Sequence, residues 1–237
     1  MLYFIDRADA GKQLAERLLK YENQNTVVVA LSESSVVVAA QVAMRIHANM
    51  VLYMIKDIRL PNEPDAAAAV TSTGGFGYNT LFSAGQIDEI ASEYRGYIEE
   101  QRIQQNHELN ILLGNGGVIK KEMLRHHVVI VVSDGLGSAF SVNLVASFIK
   151  SINIKRFVVA TPIATVDAID VMHVVADELH CLSIPDNFMG VDHYYEKQSK
   201  VTVDEALKII RNISLVWKQS EDDKSDVKAS KARDYVG

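Results

Sequence analysis

The chain has 237 residues, 48% of them apolar and 23% charged, which suits one domain of ordinary to large size with a sizeable core. A formal net charge of −6 leaves no surplus of Lys and Arg to neutralise a phosphate backbone, so no nucleic-acid partner is expected. The single cysteine, Cys181, excludes an intramolecular disulfide and a cysteine-based zinc site.

The apolar runs are too short for a membrane span, which needs roughly 18 residues. The opening MLYFIDRADAG has no basic stretch before a long apolar core, so it does not read as a signal peptide and a cytoplasmic location is expected.

Along the chain, short Val-rich runs alternate with helical periods. Asp9 to Tyr21 reads as a helix with Leu14, Leu18 and Leu19 on one side. Val27 to Leu31 is apolar throughout, as a strand covered on both faces would be. Ser34 to His47 is an Ala- and Val-rich helix, and Val51 to Ile55 is the next strand. Pro61 to Thr80 contains PNEP and TSTGGFGYNT, which predicts a long, mobile, Gly-rich loop or flap, with room for a hairpin. Ile87 to Gln105 predicts one long charged helix. Asn110 to Gly117 contains a Gly-rich turn, and Val128 to Val132 is a buried strand.

Phe140 to Lys150 predicts a helix, Phe157 to Ala160 and Leu179 to Ile184 predict strands, and Val203 to Trp217 predicts a last helix. Residues 218–237 are polar and of mixed charge, as a disordered tail would be. Strand then helix, repeated, predicts an α/β fold: a doubly wound parallel sheet with helices on both faces, occupying residues 1–217, with a small hood or flap.

The stretch VVIVVSDGLGSAFS, Val128 to Ser141, carries the chemistry. A strand ends in an acidic residue, then a loop of small residues, then a helix. Small residues let backbone N–H groups converge, and the helix start adds its own unpaired N–H groups and dipole. Such a loop accepts a phosphate. Asp134 beside it could accept hydrogen bonds from a pair of sugar hydroxyls. Helix capping by Asp134 and Ser138, with glycines making the turn, accounts for the same pattern.

These residues resemble the ribose-phosphate loop of type I phosphoribosyltransferases. More narrowly, FIDRADAGKQLAERL (Phe4 to Leu18), KDIRLPNEPDAAAAV (Lys56 to Val70) and IPDNFMGVDHYYEKQSKVTVDE (Ile184 to Glu205) resemble a small bacterial and archaeal family, the predicted phosphoribosyltransferases. In the last of these, Pro185, Phe188, Val191, Tyr195, Ser199 and Val201 fall on the family's pattern. The resemblance runs from Phe4 to about Leu215.

It implies a site for a phosphorylated ribose compound, phosphoribosyl pyrophosphate (PRPP) or a nucleotide, on Asp134, Gly135, Leu136, Gly137, Ser138, Ala139, Phe140 and Ser141. Two acidic positions would hold the ribose hydroxyls. The first is Ser133 here and the second is Asp134. Ser138 and Ser141 keep hydroxyls where the family has Thr, whereas Phe140 is bulkier than its Ala. Gly137 stands where many members carry a catalytic Asp, so no catalytic residue is assigned.

The pyrophosphate loop, Pro-Arg-Gly-Gly in the family, is matched by Ser32, Glu33, Ser34 and Ser35. Glu33 reverses a charge term worth roughly 1 kcal/mol in water at 4 Å, unless Mg²⁺ sits between it and the diphosphate. Mg²⁺ is the one cofactor this reading admits. Lys56 and Asp65 fall in the family's substrate loop. The degenerate loops leave two functions open. One is a phosphoribosyltransferase-like protein that still binds a phosphorylated ribose compound. The other is a catalytically inactive binding, regulatory or assembly subunit. A homodimer is compatible with either. A generic dinucleotide-binding protein would need a GxGxxG fingerprint, which is absent.

Other candidates point to packing. His126 and His127 would project to opposite sides of an extended chain, which is poor metal geometry. Phe188, Tyr194 and Tyr195 read as packing of the C-terminal segment onto the sheet, with an aromatic wall over a ligand base as the alternative. Cys181 reads as a small core residue.

Overall fold

A computed structural model describes residues 3–61, 63, 65–114 and 119–213. Five parallel strands form the central sheet: β1 (Thr26–Ala30), β2 (Asn49–Leu52), β6 (Val128–Val132), β7 (Arg156–Ile163) and β8 (Glu178–Ser183), in the order β2-β1-β6-β7-β8. Three further strands, β3 (Ile55–Arg59), β4 (Ala66–Thr71) and β5 (Phe76–Tyr78), make a separate antiparallel sheet.

The Val-rich runs form strands because both of their faces are covered. Val28, Ile130, Val132, Val158 and Ala160 face one core cluster, with Leu14 of α1 (Arg7–Arg17) and Val38 of α2 (Glu33–Ile46). Val27, Val29, Val129, Val131 and Val159 face the other, with Val145 of α5 (Phe140–Ile149) and Met172 of α6 (Val166–Val175). The α/β, doubly wound expectation is thus met, with α1 and α2 on one face and α5 and α6 on the other. Each such Val or Ile side chain contributes about 1.5–3 kcal/mol of transfer free energy.

Several expectations are corrected. The run Val51 to Ile55 is not one strand. β2 ends at Leu52 and Ile55 opens β3 in the second sheet. The long helix Ile87 to Gln105 is two, α3 (Ala84–Glu93) and α4 (Arg95–Leu113), meeting at Tyr94, where φ −104° and ψ 19° break the helical backbone. α4 also takes in Asn110 to Leu113 and ends where the expected turn begins, at Gly114. The rest of that turn, residues 115–117, lies outside the described residues.

The segment Pro61 to Thr80 contains the β4–β5 hairpin, closed at Gly74 with φ 80°. α6 went unread in the sequence. A last helix, α7, covers residues 203–213, opened by a Thr202–Glu205 capping box. The tail expected over 218–237 lies outside the described residues.

The termini form the rest of the hood. Phe4 bridges to Tyr195 in parallel, and Phe4, Ala10, Ile163, Tyr194 and Tyr195 make a small third core. No helix among the described residues is long and apolar enough to cross a membrane.

Candidate functional site

Sheet register fixes where the site forms. Ala30 of β1 pairs with Val132 of β6, so the loops that follow, 31–35 and 133–139, leave the sheet side by side. From β1 the chain runs outward to β2 on one side, and from β6 to β7 and β8 on the other. The gap between β1 and β6 is therefore the switch point of the sheet, where open α/β folds bind ligands. A cavity of about 630 Å³ opens there, lined by both loops, by Lys56, Asp57 and Arg59 of β3, by Asp65, and by Phe188 and Val191 of the hood.

In the second loop, Ser133, Asp134, Gly135, Leu136, Gly137, Ser138, Phe140 and Ser141 line the cavity. Ala139 is the N-cap of α5 and is buried. The loop is pinned to the turn after β7. Leu136 N–H donates to Ile163 O at 2.9 Å and Thr165 N–H to Leu136 O at 3.0 Å. No side chain caps α5. Among the described residues, the N–H groups of Gly137, Ser138 and Ala139 donate to no protein acceptor. The Ser138 hydroxyl accepts only a long bond, 3.4 Å, from Phe140 N–H.

The hood comes close at two glycines, and a Cβ on Gly137 would stand 3.1 Å from Phe188 Cε1. A Cβ on Gly135 would stand 2.8 Å from both Val191 methyls. Small residues here admit the hood as well as converging amides.

Asp134 sits differently from the sequence expectation. Its Oδ2 accepts from Arg7 Nε at 2.8 Å and its Oδ1 from the Ser35 hydroxyl at 2.9 Å, and the residue is buried. Its backbone N–H donates to Ser35 Oγ at 3.2 Å, and its carbonyl accepts from the Tyr195 hydroxyl. Arg7 continues to Asp192 Oδ1 at 2.6 Å and stacks 4.7 Å from the centre of the Tyr195 ring. The carboxylate proposed for sugar hydroxyls is thus already held on both oxygens by protein groups. The knot ties the leader (Arg7), the first loop (Ser35), the second loop (Asp134) and the hood (Asp192, Tyr195). Burial, then the Asp134 charge, raises the Tyr195 hydroxyl well above the ordinary phenol range, so it stays a donor.

The first loop is braced at Ser32 and Ser35, while the N–H groups of Ser32, Glu33 and Ser34 donate to no protein acceptor among the described residues. Ser32 Oγ caps α2, accepting from Ser35 N–H at 3.0 Å, and the two hydroxyls are 2.7 Å apart. Ser32 and Ser35 line the cavity; Glu33 and Ser34 are not among its lining residues. Glu33 Oε1 is 3.7 Å from Lys56 Nζ. The two charged positions read separately in the sequence are therefore a pair.

Arg59 lies 3.7 Å from Asp57. These carboxylates face cations, and no group of three or more His, Cys, Asp or Glu among the described residues is placed to hold a metal. The donor set does not fit a protein-built Mg²⁺ site.

The aromatic residues divide. Tyr194 and Tyr195 are buried in the third core, whereas Phe188 lines the cavity over Gly137. Cys181 packs against the second core, and burial pushes its thiol up, in the direction of an inert side chain. The residues that sequence reading missed are Arg7, Asp192, Asp57 and Arg59. One signal was available. Arg7 is the first residue of α1, where a cation opposes the helix dipole, so it called for a carboxylate from elsewhere.

No family model matches the chain. Two curated proteins of Mycobacterium tuberculosis, from strains CDC 1551 and H37Rv and each named "Putative phosphoribosyl transferase", are each 25% identical over 214 residues. The match covers 87% of this chain and 46% of theirs, so the chain spans about half the length of these relatives. The crystal structure of TT1426 from Thermus thermophilus superposes with a TM-score of 0.66 at 25% identity, covering 88% of this chain and 98% of that one. The matches agree with the resemblance carried by the leader, the switch-point loop and the hood: the chain is a homologue of proteins named as phosphoribosyl transferases and shares the fold of TT1426.

Proposed function

We propose that the cavity at the β1–β6 switch point binds a phosphorylated ribose compound and that the chain serves phosphoribosyl chemistry. One observation carries this reading. The loop after β6 offers the amides of Gly137 and Ser138 on the wall of the cavity, with that of the buried Ala139 beside them at the uncapped start of α5, all three without protein acceptors. Backbone amides and the helix dipole favour an anion there. The Ser138 and Ser141 hydroxyls add donors, and Phe188 gives the sugar an apolar cover. The names of the curated relatives point to the same substrate class.

Gly137 supplies no acid or base, so any transfer would rest on positioning and electrostatics. Mg²⁺, where it takes part, arrives with the ligand's own phosphates.

Calorimetric titration with ribose 5-phosphate tests the reading. Binding is expected, and Ser138→Glu should weaken it by roughly tenfold or more, because it places a carboxylate against the phosphate. An unchanged affinity in that variant would move the phosphate elsewhere. No binding by the parent protein would end the reading.

A further inference from the structure

We propose that the face of α5 turned away from the core, with the β4–β5 hairpin over it, forms a second small-molecule site, distinct from the switch-point cavity, for a planar aromatic monoanion.

α5 carries two stripes. Val142, Val145, Ala146 and Ile149 enter the second core. Phe140, Asn143, Leu144, Ser147 and Phe148 recur at the same helical spacing and line a cavity of about 610 Å³. A solvated helix face carries charge, and this stripe carries none. The volume falls in the range of small-molecule sites, roughly 300–1,000 Å³.

The hairpin makes the opposite wall, with Thr71, Thr73 and the bare backbone of Gly74 and Gly75. Two contacts hold the walls together. Asn143 Nδ2 donates to Thr80 Oγ1 at 3.1 Å, and the backbone at Gly77 lies so near the helix that a Cβ there would stand 2.7 Å from Leu144 Cδ2. Consecutive residues divide between the two cavities. Asn79 and Leu81 line the first and Thr80 the second, with Phe140 as a shared wall.

The lining selects the ligand. The rings of Tyr53 and Phe148, 5.4 Å between centres, back the cavity with an aromatic surface on which a flat ring can pack. The hydroxyls of Thr71, Thr73, Thr80 and Ser147 serve ring substituents as donors or acceptors. Lys121 is the one charged side chain in the lining. Its Nζ donates to Ser151 Oγ at 2.9 Å and stands 6.0 Å from the centre of the Phe148 ring. No Asp or Glu among the described residues lines the cavity. One cation without a counter-charge in the cavity suits one negative charge beside the ring pair. A polyanion would find no second cation there, and a cationic ligand no anion.

The test is fluorescence titration of the full chain with naphthoate, a planar aromatic monocarboxylate. Its neutral amide and the non-planar adamantane carboxylate are measured by competition. Naphthoate should bind about fivefold more tightly than either, and ribose 5-phosphate should not displace it. Lys121→Gln should weaken naphthoate by about fivefold and leave the amide unchanged. Ser147→Trp fills the cavity and should abolish binding of both. Both positions are exposed, so both variants should keep the parent's circular dichroism and melting. Absence of naphthoate binding at millimolar concentration overturns the proposal. So does displacement by ribose 5-phosphate, equal affinity for the adamantane compound, or a folded Ser147→Trp protein that binds as the parent does.

Discussion

The loops after β1 and β6 start from paired residues, Ala30 and Val132, and each leads into a helix. They are held differently. The loop at 32–35 is braced by two serine hydroxyls and the Asp134 carboxylate, which take the Ser35 N–H and leave those of Ser32, Glu33 and Ser34 without acceptors among the described residues. The loop at 133–141 is anchored at Asp134 and Leu136 and leaves its next three amides without acceptors. The comparison shows that the fold brings two amide-bearing loops to one cavity, whereas their side chains separate them: Glu33 puts a carboxylate in the first turn of α2, and the second loop carries no charge after Asp134. One residue, Asp134, braces both loops.

The largest expected effect comes from removing the cation behind that residue. Arg7→Ala leaves the Asp134 carboxylate buried without its charge partner, which should cost about 3–5 kcal/mol of stability in urea unfolding. Adding Asp134→Asn should recover part of the loss, since a neutral amide needs no cation there. A single-variant cost below about 1 kcal/mol would mean that the carboxylate relaxes to another donor, and that the leader does not hold the two loops in place.

Next comes the bridge between the loops. Ser35→Ala removes the hydroxyl that donates to Asp134 Oδ1 and accepts from its N–H. The group is fully buried, so the expected cost is about 1–3 kcal/mol. Hydrogen exchange at the Asp134 amide should quicken more than exchange in the β6 strand before it. Equal quickening in both would show general loosening of the sheet rather than release of one loop.

The parts of this arrangement were unequally legible in the sequence. The central strands were plain, because burial on both faces writes a continuous Val-rich run. β4 was not. Its AAAAV reads poorly as a strand, since Ala has little β preference, and antiparallel pairing with burial of Ala67 to Val70 makes it one. α6 shows buried Ala168, Ile169 and Met172 beside exposed Val166 and Val174, which blurs its amphipathic stripe. The loop at 133–141 was found through its small residues. The partner of Asp134 was not, because Arg7 lies 127 residues away and only the third dimension joins them. Lys56 and Glu33 were each marked, but their pairing depends on how the antiparallel sheet lies against α2.

The amino-terminal edge of the sheet offers a control for the site edge, and the smallest expected effect. Glu178 opens β8 there and meets Lys20, Tyr21 at 2.6 Å, His180 at 2.6 Å and Arg156 at 3.5 Å. Burial alone would raise its carboxyl, but the hydrogen bonds from Lys20, Tyr21 and His180 prevail and hold it down at about 2. A depressed carboxyl stabilises the fold fully above its unfolded value, near 4.3, and the contribution is lost as pH falls from about 5 toward 2. Solvent screening at this edge keeps the expected size near 1 kcal/mol. Unfolding midpoints of the parent protein and Glu178→Gln, followed across that window, should therefore converge as pH falls. The Ser35→Ala difference should persist further, because serine does not titrate. If the Glu178→Gln gap stayed constant down to pH 2, the network would stabilise through neutral hydrogen bonds, and acid would not distinguish the two edges.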